Sequence, residues 1–230
     1  QPGKRTRLLV VSDHGFKTLH TKVHLNRWLV EKGYLVSQNG VAESEATSIK
    51  DVDWSKSQAY AVGLNSLYLN IAGREGQGIV PADQRQAVLD RLRQDLQAWR
   101  GPDGHPVVQN AWRYDETFTG ALVPYGPDML VGYTPGYRAS PETGLGTWKP
   151  KDLEPNHDHW GADHCYDSSS VPGVLFYSGD LSNFPAPSYR DIPALAIDAA
   201  PDATNAAPPP GLSTEDQEKV EERLKSLGYL

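Results

Sequence analysis

Apolar positions along the chain change period several times. Leu8 to Val11, running into Ser12, is an unbroken apolar stretch of the kind buried on both faces of a parallel sheet. From Val23 to Leu35 the spacing turns helical, through Leu25, Trp28 and Leu29, with Gly33 as a C-terminal stop. Residues 36–57 are polar and poorly periodic, which predicts loop with at most a short helix. "AYAVG" and "SLYLNIAG" predict strands ended by glycine. Pro81 opens the clearest helix, where Val88, Leu89, Leu92, Leu96 and Trp99 recur at helical spacing and Arg and Gln fill the other face. Residues 101–106 form a turn cluster, and Val107–Tyr114, Met129–Tyr133 and Val174–Tyr177 predict strands. Residues 134–170, rich in Gly, Pro, Asp and His, predict a long loop, a feature that is usually functional or disordered. Residues 189–198 predict a short helix, with Asp191 near its N-cap and Pro193 in its first turn. A Pro/Ala-rich linker then covers 199–212, and a capped helix with the stripe Val220, Leu224 and Leu227 covers 213–230. Strands and helices alternate, which places the chain in the α/β class, with 1–198 as its main portion.

Composition narrows the function. Lys plus Arg is 22 against 29 Asp plus Glu, a net charge of −7, which argues against a dedicated nucleic-acid or anionic-membrane binder. No apolar run approaches the roughly 20 residues of a membrane span. Cys165 is the one cysteine, so no internal disulfide forms.

Two stretches concentrate chemistry. Ser12-Asp13-His14-Gly15 follows the first apolar run, where an open α/β sheet gathers ligands beyond its strand ends. A carboxylate and an imidazole there suit Zn²⁺, provided the strand breaks at Gly15 so that both reach one ion. The plainer reading has Asp13 capping a following helix and His14 packing in the turn. The second stretch, "NHDHWGADHCYD", packs His157, Asp158, His159, Asp163, His164 and Asp167 into one loop and carries three of the seven histidines. Its plainer reading is a solvated polar loop, with Cys165 an inert buried thiol. Arg138, in the glycine-rich stretch 132–146, is a candidate pocket residue for an anionic or aromatic group. His20 and His24 stand four apart, the spacing of a helical metal pair, but read more simply as surface or boundary histidines. Glu75 could act as a base, yet an ion pair with Arg74 is the blander account.

Taken in order, "VVSDHGF", "VHLNRWLVEKGYL", "GLNSLYLNIAGREGQGIV", "PDMLVGYTPGYRAS", "WGADHCYD", "VPGVLF", "RDIPALAI" and "VEERLKSLGYL" resemble the C-terminal part of a type I phosphodiesterase/nucleotide pyrophosphatase, in the alkaline phosphatase superfamily. The resemblance covers nearly the whole chain. It implies a doubly wound, mostly parallel α/β sheet and a two-zinc site that hydrolyses phosphate esters or anhydrides through a Thr or Ser nucleophile. It implies that Asp13 and His14 hold one zinc, that His164 holds the other, and that Asp163 orients the loop behind His164. No ligand role falls to His24, His157 or His159. Two metals about 3.5–4 Å apart clamp the attacking and leaving oxygens of an in-line displacement, which half a ligand set cannot do. The nucleophile and the remaining ligands have no match in this sequence, and the settings of Asp51, Asp53 and Thr117 do not supply one. The expectation is therefore a missing N-terminal segment that completes the site, with the chain alone inert or nearly so. Without that segment the 8–12 strand lies at a raw sheet edge, which predicts self-association or a covering loop. Two alternatives stand beside this reading: a non-catalytic accessory module that keeps the fold, and a phosphomutase or sulfatase relative.

Overall fold

The polar residues 12–16 separate two strands, β1 (Leu9–Val11) and β2 (Lys17–Val23), and helix α1 (Leu25–Glu31) follows directly. Val23, expected to begin the helix, ends a strand instead. Leu19 points inward while Thr18 and His20 face out, the two-residue alternation of a strand. Chain order continues with β3 (Thr47–Ser48), β4 (Ala59–Ala61), β5 (Ser66–Leu69), α2 (Arg85–Ala98), β6 (Val108–Arg113), α3 (Tyr114–Thr117) and β7 (Met129–Tyr133). The expected long loop carries β8 (Gly136–Ala139), α4 (Pro141–Gly144), β9 (Thr147–Trp148), β10 (Leu153–Pro155) and β11 (Ala162–Asp163). β12 (Leu175–Tyr177) and α5 (Ile192–Ile197) complete the order. This is a computed structural model that describes residues 6–38 and 47–197, so the expected linker 199–212 and helix 213–230 lie outside the described residues. No helix among the described residues is long and apolar enough to cross a membrane.

The chain divides into two compact units, one of Gln1–Leu9, Phe118–Gly126 and Tyr177–Leu230, the other of Val10–Thr117 and Pro127–Phe176. In the first unit, Leu195, Ala194 and Phe184 are buried, and Tyr177 donates to the Leu195 carbonyl at 3.1 Å. Ser188 and Asp191 form a reciprocal capping box ahead of α5, so Ser188 is the cap and Asp191 its partner.

The second unit holds the main core. One of its four-stranded sheets runs β4-β5-β7-β6, antiparallel throughout. Helix α2 buries Val88, Leu89, Leu92 and Leu96, each burial contributing about 1.5–3 kcal/mol. Asp128, 1% exposed, fastens this sheet: it accepts from the Leu69 amide (2.8 Å), Arg74 Nη2 (2.6 Å) and Arg85 Nε (3.0 Å). Arg74 also pairs with Glu75 at 2.7 Å, so Glu75 has the structural role that the blander account gives it.

β2 is the hub of the other four-stranded sheet. β10 and β11 pair with it antiparallel and β8 parallel. Beneath it His24, fully buried, sets Nε2 3.1 Å from Glu154 and Nδ1 3.1 Å from the Ser140 hydroxyl. β1 pairs with β12 in a two-stranded sheet.

The α/β class holds, but the doubly wound, mostly parallel sheet is not what the described residues form. Their sheets are mostly antiparallel, with β2–β8 the parallel strand pair. A short connection accounts for one of these antiparallel pairs. Residues 62–65 join β4 to β5, whereas a parallel crossover needs about a dozen residues or more.

Candidate metal centre

β1 ends just before Asp13 and His14, and the chain bends at Asp13. The Gly15 amide donates to the Val171 carbonyl at 3.0 Å, and an added Cβ would sit 3.0 Å from the Pro172 carbonyl oxygen. A side chain at this passage is therefore crowded. His14 Nδ1 lies 3.0 Å from the Gly15 carbonyl oxygen. A carbonyl only accepts, so this contact puts the proton on Nδ1 and leaves the Nε2 lone pair free. Asp13 Oδ2 stands 3.4 Å from that Nε2, on a side chain 82% exposed. The segment after Asp13 is strand β2, so Asp13 caps no helix.

β11 brings the second half of the site. Its register on β2, Ala162 opposite Thr18 and Asp163 opposite Lys17, carries His164 toward the turn that holds His14. The two imidazoles stack with centroids 3.8 Å apart and planes 6° from parallel. Phe16 presents its ring edge-on to both, at 5.1 and 6.0 Å. The two chemistry-rich stretches of the sequence thus meet ring against ring.

Asp163 is buried and fully engaged. Oδ1 accepts the amides of His164 (2.6 Å) and Cys165 (3.1 Å). Oδ2 accepts the Trp160 indole N–H at 3.2 Å and pairs with Arg138 Nε at 2.8 Å. Burial alone would raise its pKa, but the amide donors and Arg138 hold it below the usual carboxylate range. Among the described residues, Asp163, His164 and Cys165 form a group whose ligand-capable atoms lie within 4.8 Å of one another. The lone pairs of Asp163 are already spoken for, and burial with the nearby Asp163 charge pushes the Cys165 thiol up to about 11. His164, half-exposed, sets Nδ1 3.3 Å from Asp163 Oδ1. Asp13, His14 and His164 carry O and N atoms of the kind zinc accepts, though the three do not form a group of that closeness among the described residues.

A cleft of about 390 Å³ opens beside His164, lined among others by Leu19, Lys22, Leu64, Arg138, Trp160 and Cys165. Arg138 lines it, with its guanidinium Nε 2.8 Å from Asp163. Sequence reasoning missed Trp160 and Lys22, which stand in stretches where histidines dominate the signal.

The remaining candidates are placed apart from this centre. His20 lies exposed in β2 and His24 is buried ahead of α1, so they are no helical pair, and His24 is no surface residue. His157 and His159 are exposed. Asp51 caps a turn with Ser48, Asp53 pairs with Lys56, and Thr117 donates to the Arg113 carbonyl.

No curated protein matches the chain. The family model described as type I phosphodiesterase / nucleotide pyrophosphatase matches residues 3–142, which includes Asp13, His14 and Arg138 but stops short of His164. That match spans more than half of the 230 residues, and the chain belongs to the type I phosphodiesterase/nucleotide pyrophosphatase family of the alkaline phosphatase superfamily.

Proposed function

We propose that this chain is the C-terminal portion of a zinc-dependent hydrolase of phosphate esters or anhydrides, and that Asp13, His14 and His164 are its contribution to the metal centre. The observation that carries this is the stacking of His14 on His164, residues from separate segments held in register by β2 and β11. When bound, zinc would polarise the phosphoryl group and lower the pKa of the attacking hydroxyl. The chain's own residues set the stage for that. The Gly15 carbonyl holds the His14 proton on Nδ1, and Asp163 holds the backbone that presents His164. Phe16 packs its ring T-shaped against both imidazoles.

Asp13 and His14 would serve one ion and His164 the other, and each ion of the family's two-ion site needs more ligands than these. A further N-terminal segment is proposed to bring the remaining ligands and the Thr or Ser nucleophile, and with them the doubly wound parallel sheet. Val10, Val174 and Phe176 support this: they line the β1–β12 region at 45%, 52% and 66% exposure, unusual for strand residues of this kind.

The test is zinc content and bis-p-nitrophenyl phosphate hydrolysis, on the 230-residue chain alone and joined to the segment that precedes it in its gene. The joined protein is expected to turn over with zinc and the chain alone to be inert or nearly so. Strong turnover by the chain alone would sink the divided site, and an inert joined protein would sink the hydrolase.

A further inference from the structure

Asp167 is not among the proposed zinc ligands, yet it is only 1% exposed and its carboxylate is met by four neutral donor groups. Burying such a charge is costly unless donors are aimed at it, and here they come from two sides. Oδ2 accepts from the side chains of Asn110 (3.0 Å) and Trp112 (2.9 Å), both on β6. Gly132 of β7 leaves room for that oxygen, since an added Cβ there would collide with it. Oδ1 accepts the Ser169 amide (3.1 Å) and hydroxyl (2.5 Å), which caps the turn Ser168–Ser170.

The two sides lead to the two halves of the candidate metal centre. Upstream, the Asp167 amide donates to the Tyr133 carbonyl of β7 at 3.0 Å, and the Tyr166 amide donates to the His164 carbonyl at 2.8 Å. His164 is thus joined by a short, hydrogen-bonded stretch to a point fixed on β6 and β7. Downstream, the capped turn delivers Val171, whose carbonyl accepts the Gly15 amide at 3.0 Å, next to His14. The chain on either side of one carboxylate therefore carries one imidazole of the stacked pair and holds the backbone beside the other.

We infer that Asp167 is a positioning residue, which sets the face-to-face contact of His14 and His164 by fastening the 164–171 segment to β6 and β7. The inference rests on the hydrolase reading for its consequence, zinc affinity, while the positioning itself is read without metal. Asparagine in this place keeps the shape but sets an NH2 group against donors on one side or the other.

Stacked imidazoles shield one another's ring protons, so the upfield shift of the His14 and His164 ring resonances in the 230-residue chain reports the contact. The resonances are assigned with His14→Gln and His164→Gln. Asp167→Asn is expected to lose most of that shift, and so is Gly132→Ala, which crowds the same carboxylate from β7. Trp112→Phe removes one donor from a partly exposed ring and is expected to lose a smaller part. Val88→Ala, in the buried face of α2, separates positioning from general loosening: it is expected to lower the urea midpoint and leave the ring shifts in place. Folded Asp167 or Gly132 variants with unmoved ring shifts would overturn the inference, as would equal movement in Val88→Ala. In the segment-joined protein, Asp167→Asn is expected to weaken zinc binding by about 10–100-fold, and an unchanged affinity would also overturn it. A joined protein that binds no zinc would instead sink the hydrolase reading and leave the ring-shift result standing.

Discussion

Asp163 receives two backbone amides, an indole and a guanidinium, so its charge organises the site without touching a ligand. Asp163→Asn removes the charge that faces Arg138 and puts an amide donor among donors. It is expected to weaken zinc binding by about 10–100-fold, the usual cost of losing a group behind a metal ligand. Competition with a chromophoric chelator reads this directly, and unchanged affinity would remove Asp163 from the site. Asp128 is a second such residue, with no chemistry attached. Asp128→Ala strands Arg74, Arg85 and the Leu69 amide and is expected to destabilise the fold by about 3–5 kcal/mol in urea unfolding. At this scale the sequence showed residue type well and partner poorly. His14 and His164 stand out as chemistry-bearing residues, but nothing local says that Asp128 gathers two arginines or that His24 is buried against Glu154 and Ser140.

Among the elements, α2 was legible because its apolar stripe repeats at helical period over several turns. β2 was not. Its buried Lys22 breaks the apolar pattern of a strand, because the ammonium is neutralised by Asp158 and Glu154, residues more than a hundred positions away. The strands between 136 and 163 are short, two to four residues each, and set by pairing with β2 and β3, so no period could develop. Close approach between elements is testable at Gly132 in β7, where an added Cβ would collide with Asp167 Oδ2. That carboxylate accepts from Asn110, Trp112 and Ser169. Gly132→Ala is expected to destabilise by about 1–3 kcal/mol, as overpacking does, while Gly76→Ala, with nothing within 4 Å, is expected to be nearly neutral. Equal melting of the two variants would refute this account of β7.

For the whole molecule, acid is the revealing variable. Burial pushes Asp167, Asp115 and Glu154 toward higher pKa. Hydrogen bonds from Ser169 and Trp112, from Arg85, and from Lys149 and His24 outweigh it and hold all three below their ordinary values. The unfolded chain then takes up protons before the folded one. The stability these groups supply is whole at neutral pH and is lost as pH falls below the ordinary carboxylate value of about 4. Urea midpoints measured from pH 7 to pH 3 are expected to decline mainly below pH 5, and a midpoint that rises with acid would contradict that sign. The α/β class was readable from alternating elements, but sheet direction was not, because direction depends on connection length and on which strands meet.

The claim that joins these scales is that His14 and His164 act as one unit at a metal centre. It is measured by kcat/KM for bis-p-nitrophenyl phosphate in the segment-joined, zinc-loaded protein, comparing His14→Ala, His164→Ala and the double variant. Each single change is expected to cost about 10³-fold or more, and the double change little beyond that, because groups that act as a unit are not additive. Single variants that retain near-normal turnover, or whose losses multiply in the double variant, would show that the stacked pair is not the metal centre.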